Sequence, residues 1–302
     1  MSLEGVLPVL KPVDYTSHDV VAKVRRLSGL KRIGHTGTLD PKVTGVLPLC
    51  LGRATRVVEY IQDMPKTYEA QLTIGLATDT EDLTGEIIDR CEKVQVTREQ
   101  IIETLQSFKG TIEQIPPMYS AVKVNGERLY DLARKGKHVD RPSRQVTLYD
   151  IELLDIDLEK DYPEIRFRVQ CSKGTYIRTL CSDIGKKLGY PAVMSHLVRT
   201  STGSLSLADC LTIDEIEAHC SRGTLGTVLI ATDKAIPHIP AVNVTDQLAV
   251  HALQGKSISA GGSLADPIDQ ALYRIYSDAN GFLGLFRWDA GSERLVPEKV
   301  FN

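Results

Sequence analysis

Apolar residues recur along this chain with two different spacings, and the switches between them mark out its elements. Leu3 to Leu10 is an apolar run closed by Lys11-Pro12, which predicts a first strand. Val20, Val21, Val24 and Leu27 then share one face of a helix that Ser17 can cap, with Lys23, Arg25 and Arg26 turned to solvent. Val46 to Leu51 reads as a buried strand and Ala54 to Ile61 as a helix. From Thr67 to Ile74 the alternation is strict, with Tyr68, Ala70, Leu72 and Ile74 on one face and Glu69, Gln71 and Thr73 on the other. Thr97 and Gln100 carry the capping-box signature of a helix that buries Ile101, Ile102, Leu105 and Phe108 and stops at Gly110. Val146 to Leu158 and Ile165 to Cys171 predict an antiparallel pair, and Thr175 a cap for a helix from Tyr176 to Leu188 that Gly189 ends. A last helical region covers Leu211 to Lys234. Pro237 and Pro240 then mark a boundary, after which the runs Tyr273 to Tyr276 and Phe282 to Trp288 lie between glycine-rich turns.

Composition narrows the class. The chain has 302 residues, 42% hydrophobic and 25% charged, which suits a large globular domain followed by a small one. No apolar run approaches bilayer length, and the start MSLEGVLPVLKP lacks the basic opening and the long apolar core of a signal peptide. The six cysteines show no C-x-x-C and no paired histidine spacing, so they read as reduced thiols of a cytosolic protein with no metal site. A net charge of −3 argues against a generally basic nucleic-acid coat protein but leaves room for a local basic face. Two such windows exist. One holds Lys23, Arg25, Arg26, Lys31 and Arg32 without an acid. The other, within Ile115 to Arg144, combines a Pro116-Pro117 break, an Asn125-Gly126 hairpin signal after a short strand (Tyr119 to Val124) and a basic helix from Leu129 to Lys135. It reads as an insertion that grips RNA. Solvated surface is the competing reading of both windows.

Candidate chemistry centres on RIGHTGTLDPKVTGVLPLCLGR, Arg32 to Arg53. Pro41 restricts the backbone of Asp40, and Gly34, Gly37 and Gly45 allow tight turns and close approach of another molecule. A lone carboxylate on so restricted a loop, anchored by a core strand, is a candidate nucleophile, acid or base; an ordinary Asp-Pro turn is the alternative. The stretch contains neither a P-loop nor G-x-G-x-x-G after a strand. Arg178 falls in the first turn of its helix, where a cation opposes the helix dipole. That placement makes sense if an anion pairs with it, and Asp40 is the candidate; a chance surface arginine is the other possibility.

GHTGTLDPKVTGVLPLCLGRATR resembles the signature of the TruB-type pseudouridine synthases. The likeness continues through KPVDYTSHDVV, KTYEA (Lys66 to Ala70), TDTEDLTG (Thr78 to Gly85), Ile112 to Arg134 and CSKGTYIRTL (Cys171 to Leu180), and thins after about residue 210. The resemblance implies an α+β fold, with a mixed, largely antiparallel central sheet flanked by helices over residues 1–239 and a small PUA-like β-barrel over 240–302. It implies isomerisation of one uridine in the tRNA T loop, position 55, to pseudouridine, with no cofactor and no metal. The partner would be the T stem-loop of tRNA, bound by a cytoplasmic monomer with no membrane and no obligatory protein partner. Asp40 matches the nucleophile, Arg178 its ion-pair partner, and Tyr68 a stacking residue that can also act as a late base. Tyr176 and Leu197 match positions lining the uracil pocket, and His35 one that replaces the flipped nucleotide. Lys11 and Lys66 lie in family motifs as candidate phosphate contacts. The tail departs from a basic RNA module: Asp246, Asp266, Asp269, Asp278, Asp289, Glu293 and Glu298 outnumber Lys256, Arg274, Arg287, Arg294 and Lys299. Three other readings compete: an RNA-binding protein without catalysis, a guide-RNA-dependent relative, and a carboxylate-pair hydrolase using Asp79, Glu81 or Asp82 beside Asp40.

Overall fold

A computed structural model describes residues 3–124, 126–137, 139–259, 264 and 266–301. Asn125 of the expected hairpin turn lies outside the described residues. The strands are β1 (Gly5–Lys11), β2 (Ile33–His35), β3 (Thr44–Leu51), β4 (Lys66–Ile74), β5 (Leu76–Thr78), β6 (Ile87–Arg90), β7 (Gly110–Gln114), β8 (Lys123–Val124), β9 (Glu127–Arg128), β10 (Arg144–Asp157), β11 (Glu164–Cys171), β12 (Ala192–Thr202), β13 (Leu205–Ser206), β14 (Ala241–Asn243), β15 (Leu272–Ser277), β16 (Gly281–Asp289) and β17 (Arg294–Val300). The helices are α1 (Ser17–Ser28), α2 (Val58–Asp63), α3 (Arg98–Gln106), α4 (Leu129–Arg134), α5 (Ile177–Leu188), α6 (Ile213–Ser221) and α7 (Asp246–Leu253).

A nine-stranded sheet runs in the order β1-β3-β12-β4-β11-β10-β7, with β2 paired to β3 and β13 to β12. All its pairings are antiparallel except β3 with β12. The expected mixed, largely antiparallel sheet is therefore the one found. Strict alternation in β4 and β11 gives the sheet one apolar face, on which α3 and α5 pack through Ile101, Leu105, Ile177, Leu180 and Ile184. At the other end α1 and α6 bury Val20, Val21, Val24 and Ile216 against Leu7, Val9, Leu47 and Leu49 of β1 and β3. The strand at the junction, β12, was not anticipated from the sequence. It lies between β3 and β4, and Gly45 of β3 makes the approach possible: at φ 113° it has left-handed-side backbone, and a Cβ there would sit 2.2 Å from the Arg199 carbonyl oxygen.

Several local expectations change. Thr16, not Ser17, caps α1, in a reciprocal box with Asp19, while the Ser17 hydroxyl turns inward. Tyr176 rather than Thr175 precedes α5, because the Thr175 hydroxyl donates to the Ser172 carbonyl instead. Helix α3 closes at Ser107, and Gly110 opens β7. The region 54–61 is a 3-10 turn leading into α2, and within 211–234 only α6 and a short 3-10 turn are helical. The C-terminal segment contains an open four-stranded sheet, β14-β15-β16-β17, with α7 against it; among the described residues it does not close into a barrel. No described helix is long and apolar enough to cross a membrane.

Candidate active site

The Asp40 loop is held from four directions. In its own turn the Val43 amide donates to the Asp40 carbonyl at 3.0 Å. From α1, the Ser17 hydroxyl accepts from the Leu39 amide at 2.9 Å. From β1, the Lys11 ammonium donates to the carbonyls of Pro12 (2.9 Å), Pro41 (3.1 Å) and Val43 (2.7 Å). From β12, the Arg199 guanidinium donates to the Gly37 carbonyl at 3.3 Å and, through Nε, to the Val46 carbonyl at 2.7 Å. A loop secured by so many separate elements presents its carboxylate in one geometry, which is what preorganised chemistry requires.

Arg178 meets that carboxylate from the first turn of α5. Its Nε lies 3.0 Å from Asp40 Oδ2, and its other nitrogens donate to the carbonyls of Thr80 (3.0 Å) and Tyr119 (2.8 Å). Asp82 Oδ2 is 4.0 Å from the same Nε. The Arg178 side chain is 6% exposed and that of Asp40 42%, so the cation is the buried partner and the acid faces a cavity. The walls exclude enough water for burial to push the Asp40 carboxyl above its ordinary value, and Asp82 pushes the same way; Arg178 and Lys11 oppose them. An acid set between these influences is poised for chemistry rather than for stability.

The cavity beside Asp40 has a volume of about 700 Å³, within the range of small-ligand sites. Tyr68, Leu197, Arg199, Tyr176 and Arg178 line it, and residues 120–121 and 142–144 of the expected insertion form one wall. Tyr68 and Leu197 project from neighbouring strands in register with Arg199 and Ala70 respectively. The Tyr176 ring lies 5.8 Å from the Arg144 guanidinium, and its backbone is gripped by the buried Gln114 amide at 3.0 and 3.2 Å. The buried hydroxyls of Thr36 and Ser120, two further wall residues, find no partner among the described residues.

A model of the N-terminal domain of TruB family pseudouridylate synthases matches residues 25–177. The chain belongs to the TruB family. Two further models, of TruB C-terminal domains, match 178–236 and 240–301. The chain is 51% identical to tRNA pseudouridine synthase B of Geobacillus thermodenitrificans, with 99% of this chain and 100% of the relative covered. It is 44% identical to tRNA pseudouridine synthase B of Bacillus subtilis, with 99% and 97% covered. Among solved structures it resembles that of a Cbf5-Nop10-Gar1 complex, at TM-score 0.77 and 29% identity over 99% of this chain and 85% of that one. It also resembles an H/ACA RNP bound to a substrate RNA containing 2'-deoxyuridine, at TM-score 0.76 and 26% identity over 99% and 86%.

Of the residues matched to TruB motifs, Asp40, Arg178, Tyr68, Tyr176, Leu197 and Lys66 reach the cavity, and His35 and Lys11 do not line it. His35 ends β2 with its ring edge-on to His18 at 5.3 Å, and burial, with the His18 charge adding to it, holds its pKa below the ordinary histidine value. The two lysines are not presented for phosphate contact. Lys11 is fully buried in its cage of carbonyls, and Lys66, 5% exposed, donates to the Gln62 and Met64 carbonyls. Burial brings both ammonium groups down to about 8. Two residues at the centre, Arg199 and Asp82, were given no part in an isomerase site from sequence. Arg199 carried no signal, since an arginine on an unrecognised strand looks like surface. Asp82 was read from the sequence only as a candidate second acid for a hydrolase, and in the structure it also accepts from Thr80 and Thr84.

Proposed function

We propose that this TruB protein isomerises uridine to pseudouridine in tRNA, at position 55 of the T loop, with Asp40 as the nucleophile. The observation that carries the reading is the Asp40–Arg178 pair, 3.0 Å apart at the wall of a 700 Å³ cavity that Tyr68 shares. Names of relatives covering nearly the whole chain at 44–51% identity support tRNA as the substrate. Pseudouridine formation breaks a C–N glycosidic bond, turns the uracil and rejoins it through C5, without net redox change. The chain's residues then divide the work. The target base is flipped out of the T loop at a cost of a few kcal/mol. Stacking on Tyr68 offsets this by about 1–3 kcal/mol. Leu197 and Tyr176 bound the pocket that keeps the freed uracil beside the sugar. Arg178 keeps Asp40 ionised against its buried surroundings so that it can attack. His35 occupies the gap left in the T loop, and Tyr68 accepts a proton late in the reaction. No cofactor takes part.

The insertion at 115–144 supplies a basic wall for the RNA backbone. Residues 1–239 form the catalytic unit and 240–302 an accessory RNA-binding unit. The protein acts as a cytoplasmic monomer without an obligatory protein partner. Asp82 shares Arg178 but does not line the cavity, which speaks against two carboxylates flanking a substrate in the manner of a hydrolase.

The test uses the purified full chain and a T stem-loop RNA. Wild type is expected to convert the one target uridine, and Asp40→Asn to bind the RNA with no detectable conversion. An Asp40→Asn variant that isomerises at the wild-type rate removes the nucleophile assignment. A wild-type protein that binds but never isomerises makes the chain an RNA-binding protein only, and one that needs added guide RNA places it with the guide-dependent relatives.

A further inference from the structure

Arg199 is the largest fully buried side chain, 1% exposed, and no carboxylate pairs with it among the described residues. An uncompensated cation in such a position is costly, so its retention calls for a role. Its surroundings point to one. On β12 it stands in register with Gly45 on one side and Tyr68 on the other, where the parallel and antiparallel neighbours meet. Its fork is fixed by the Val46 and Gly37 carbonyls, so it cannot swing away, and both it and Tyr68 line the cavity. As cross-strand partners on β12 and β4, the two side chains are near enough for the guanidinium charge to act on the Tyr68 hydroxyl.

We infer that Arg199 is a positioning residue for proton transfer, holding the Tyr68 hydroxyl toward the base and stabilising the phenolate form of that side chain during turnover. This rests on the proposed isomerase reading. Isomerisation leaves the uracil with one more proton on N1 and one fewer on C5. The Tyr68 phenol gives its proton to N1 once the glycosidic bond has broken and the electron pair resides on the uracil. After C5 has bonded to the sugar, the phenolate takes the C5 proton. Tyrosine ends as it began, one proton has moved from C5 to N1, and no outside acid or base is consumed. Burial raises the pKa of Tyr68 above its ordinary value, and the Arg199 charge works against that rise. The other titratable groups facing this pair are Asp40 on the loop, Cys171 on β11, Lys66 on β4, Lys11 on β1, His35 on β2 and Cys210.

Single-turnover conversion of a T stem-loop RNA by Arg199→Gln, Tyr68→Phe and the double variant tests the inference. Arg199→Gln is expected to bind RNA within about twofold of wild type but to convert it about a hundredfold more slowly, a usual size for a lost proton-transfer aid. Its rate should hold to a higher pH than that of wild type, since the step begins from the phenol and the phenol ionises later without the cation. In the Tyr68→Phe background the same substitution should change the rate less than twofold. If Arg199→Gln slows the phenylalanine variant as much as it slows wild type, or if its pH profile matches wild type, the residue serves packing only and the inference falls. Should Arg199→Gln fail to fold, Arg199→Lys takes its place; it keeps the charge, is expected to lose about tenfold, and must show the same dependence on Tyr68. Inactivity of wild type in this assay counts against the isomerase reading, whereas additive Arg199 and Tyr68 effects in an active enzyme count against this inference alone.

Discussion

Replacing Arg178 by methionine is the perturbation whose consequences follow most directly from the geometry. The guanidinium pairs with Asp40 and satisfies the Thr80 and Tyr119 carbonyls while being only 6% exposed. Removing one partner of a largely buried, hydrogen-bonded pair costs about 3–5 kcal/mol. Asp40 can recover part of this by facing the cavity, since 42% of its side chain is exposed, so the lower end is expected. At about 2 °C per kcal/mol for a chain of this size, the melting temperature should fall by roughly 6–8 °C. The chemical effect is separate. Without the cation, Asp40 keeps the two influences that raise its pKa, burial and Asp82, and loses the stronger one that lowers it. The carboxyl then ionises at higher pH, so the residual single-turnover rate should climb with pH across a range where wild type is already level. The Tyr119 carbonyl belongs to the insertion, so cleavage by trypsin within Lys123 to Lys135 should also accelerate. Thermal melting, a pH series of conversion rates and limited proteolysis read the three effects. A variant with wild-type melting and a level pH profile would refute the reasoning, because it would mean that the pair neither holds the loop nor sets the charge of Asp40.

Other substitutions probe the supports. Gly45→Ala places a Cβ 2.2 Å from the Arg199 carbonyl oxygen at φ 113°, and overpacking with backbone strain should cost about 2–4 kcal/mol, measured by denaturant melting. Lys11→Met should lose about 1–3 kcal/mol by abandoning buried carbonyls. Its pH dependence is diagnostic: Lys11 titrates at about 8 in the folded chain against an ordinary 10.5, so between these values the unfolded chain holds more protons and Lys11 makes wild type more stable as pH rises. The gap in melting temperature between wild type and Lys11→Met should therefore widen from pH 8 to 10. Arg128→Glu with Lys135→Glu, on the outer face of the insertion, should weaken RNA binding and flatten its salt dependence without changing the conversion rate of saturated enzyme.

The legible parts of the sequence were those governed by local rules. Thr97 and Gln100 form the expected reciprocal cap, β4 and β11 alternate as read, and Gly189 ends α5 in left-handed backbone at φ 87°. Asp40 stood out because Pro41 restricts its backbone between turn-forming glycines, and its pairing with Arg178 was suggested by a cation in the first turn of a helix and strengthened by the family motifs. What escaped was set by distant partners. Strand β12 reads as polar, with Ser195, His196, Arg199 and Thr200 to Thr202, because a central strand that lines a cavity need not carry an unbroken apolar face. Its pairings reach back more than a hundred residues, to Lys66–Ile74 and Thr44–Gly45, and no local pattern records them. The same holds for Lys11, whose place inside the protein depends on a loop thirty residues further along the chain.

The C-terminal sheet meets the catalytic sheet through apolar side chains rather than across a solvated joint. Leu285 and Phe301 share one cluster with Val6, Val46, Ala54 and Ile61, and Arg56 stacks on Phe301 and grips the Val300 carbonyl. The tail thus serves as a stopper for the reverse side of the strands that carry Asp40. A chain cut after Pro240 would leave that oily hollow uncovered, and would be expected to clump before its fitness for catalysis could be asked.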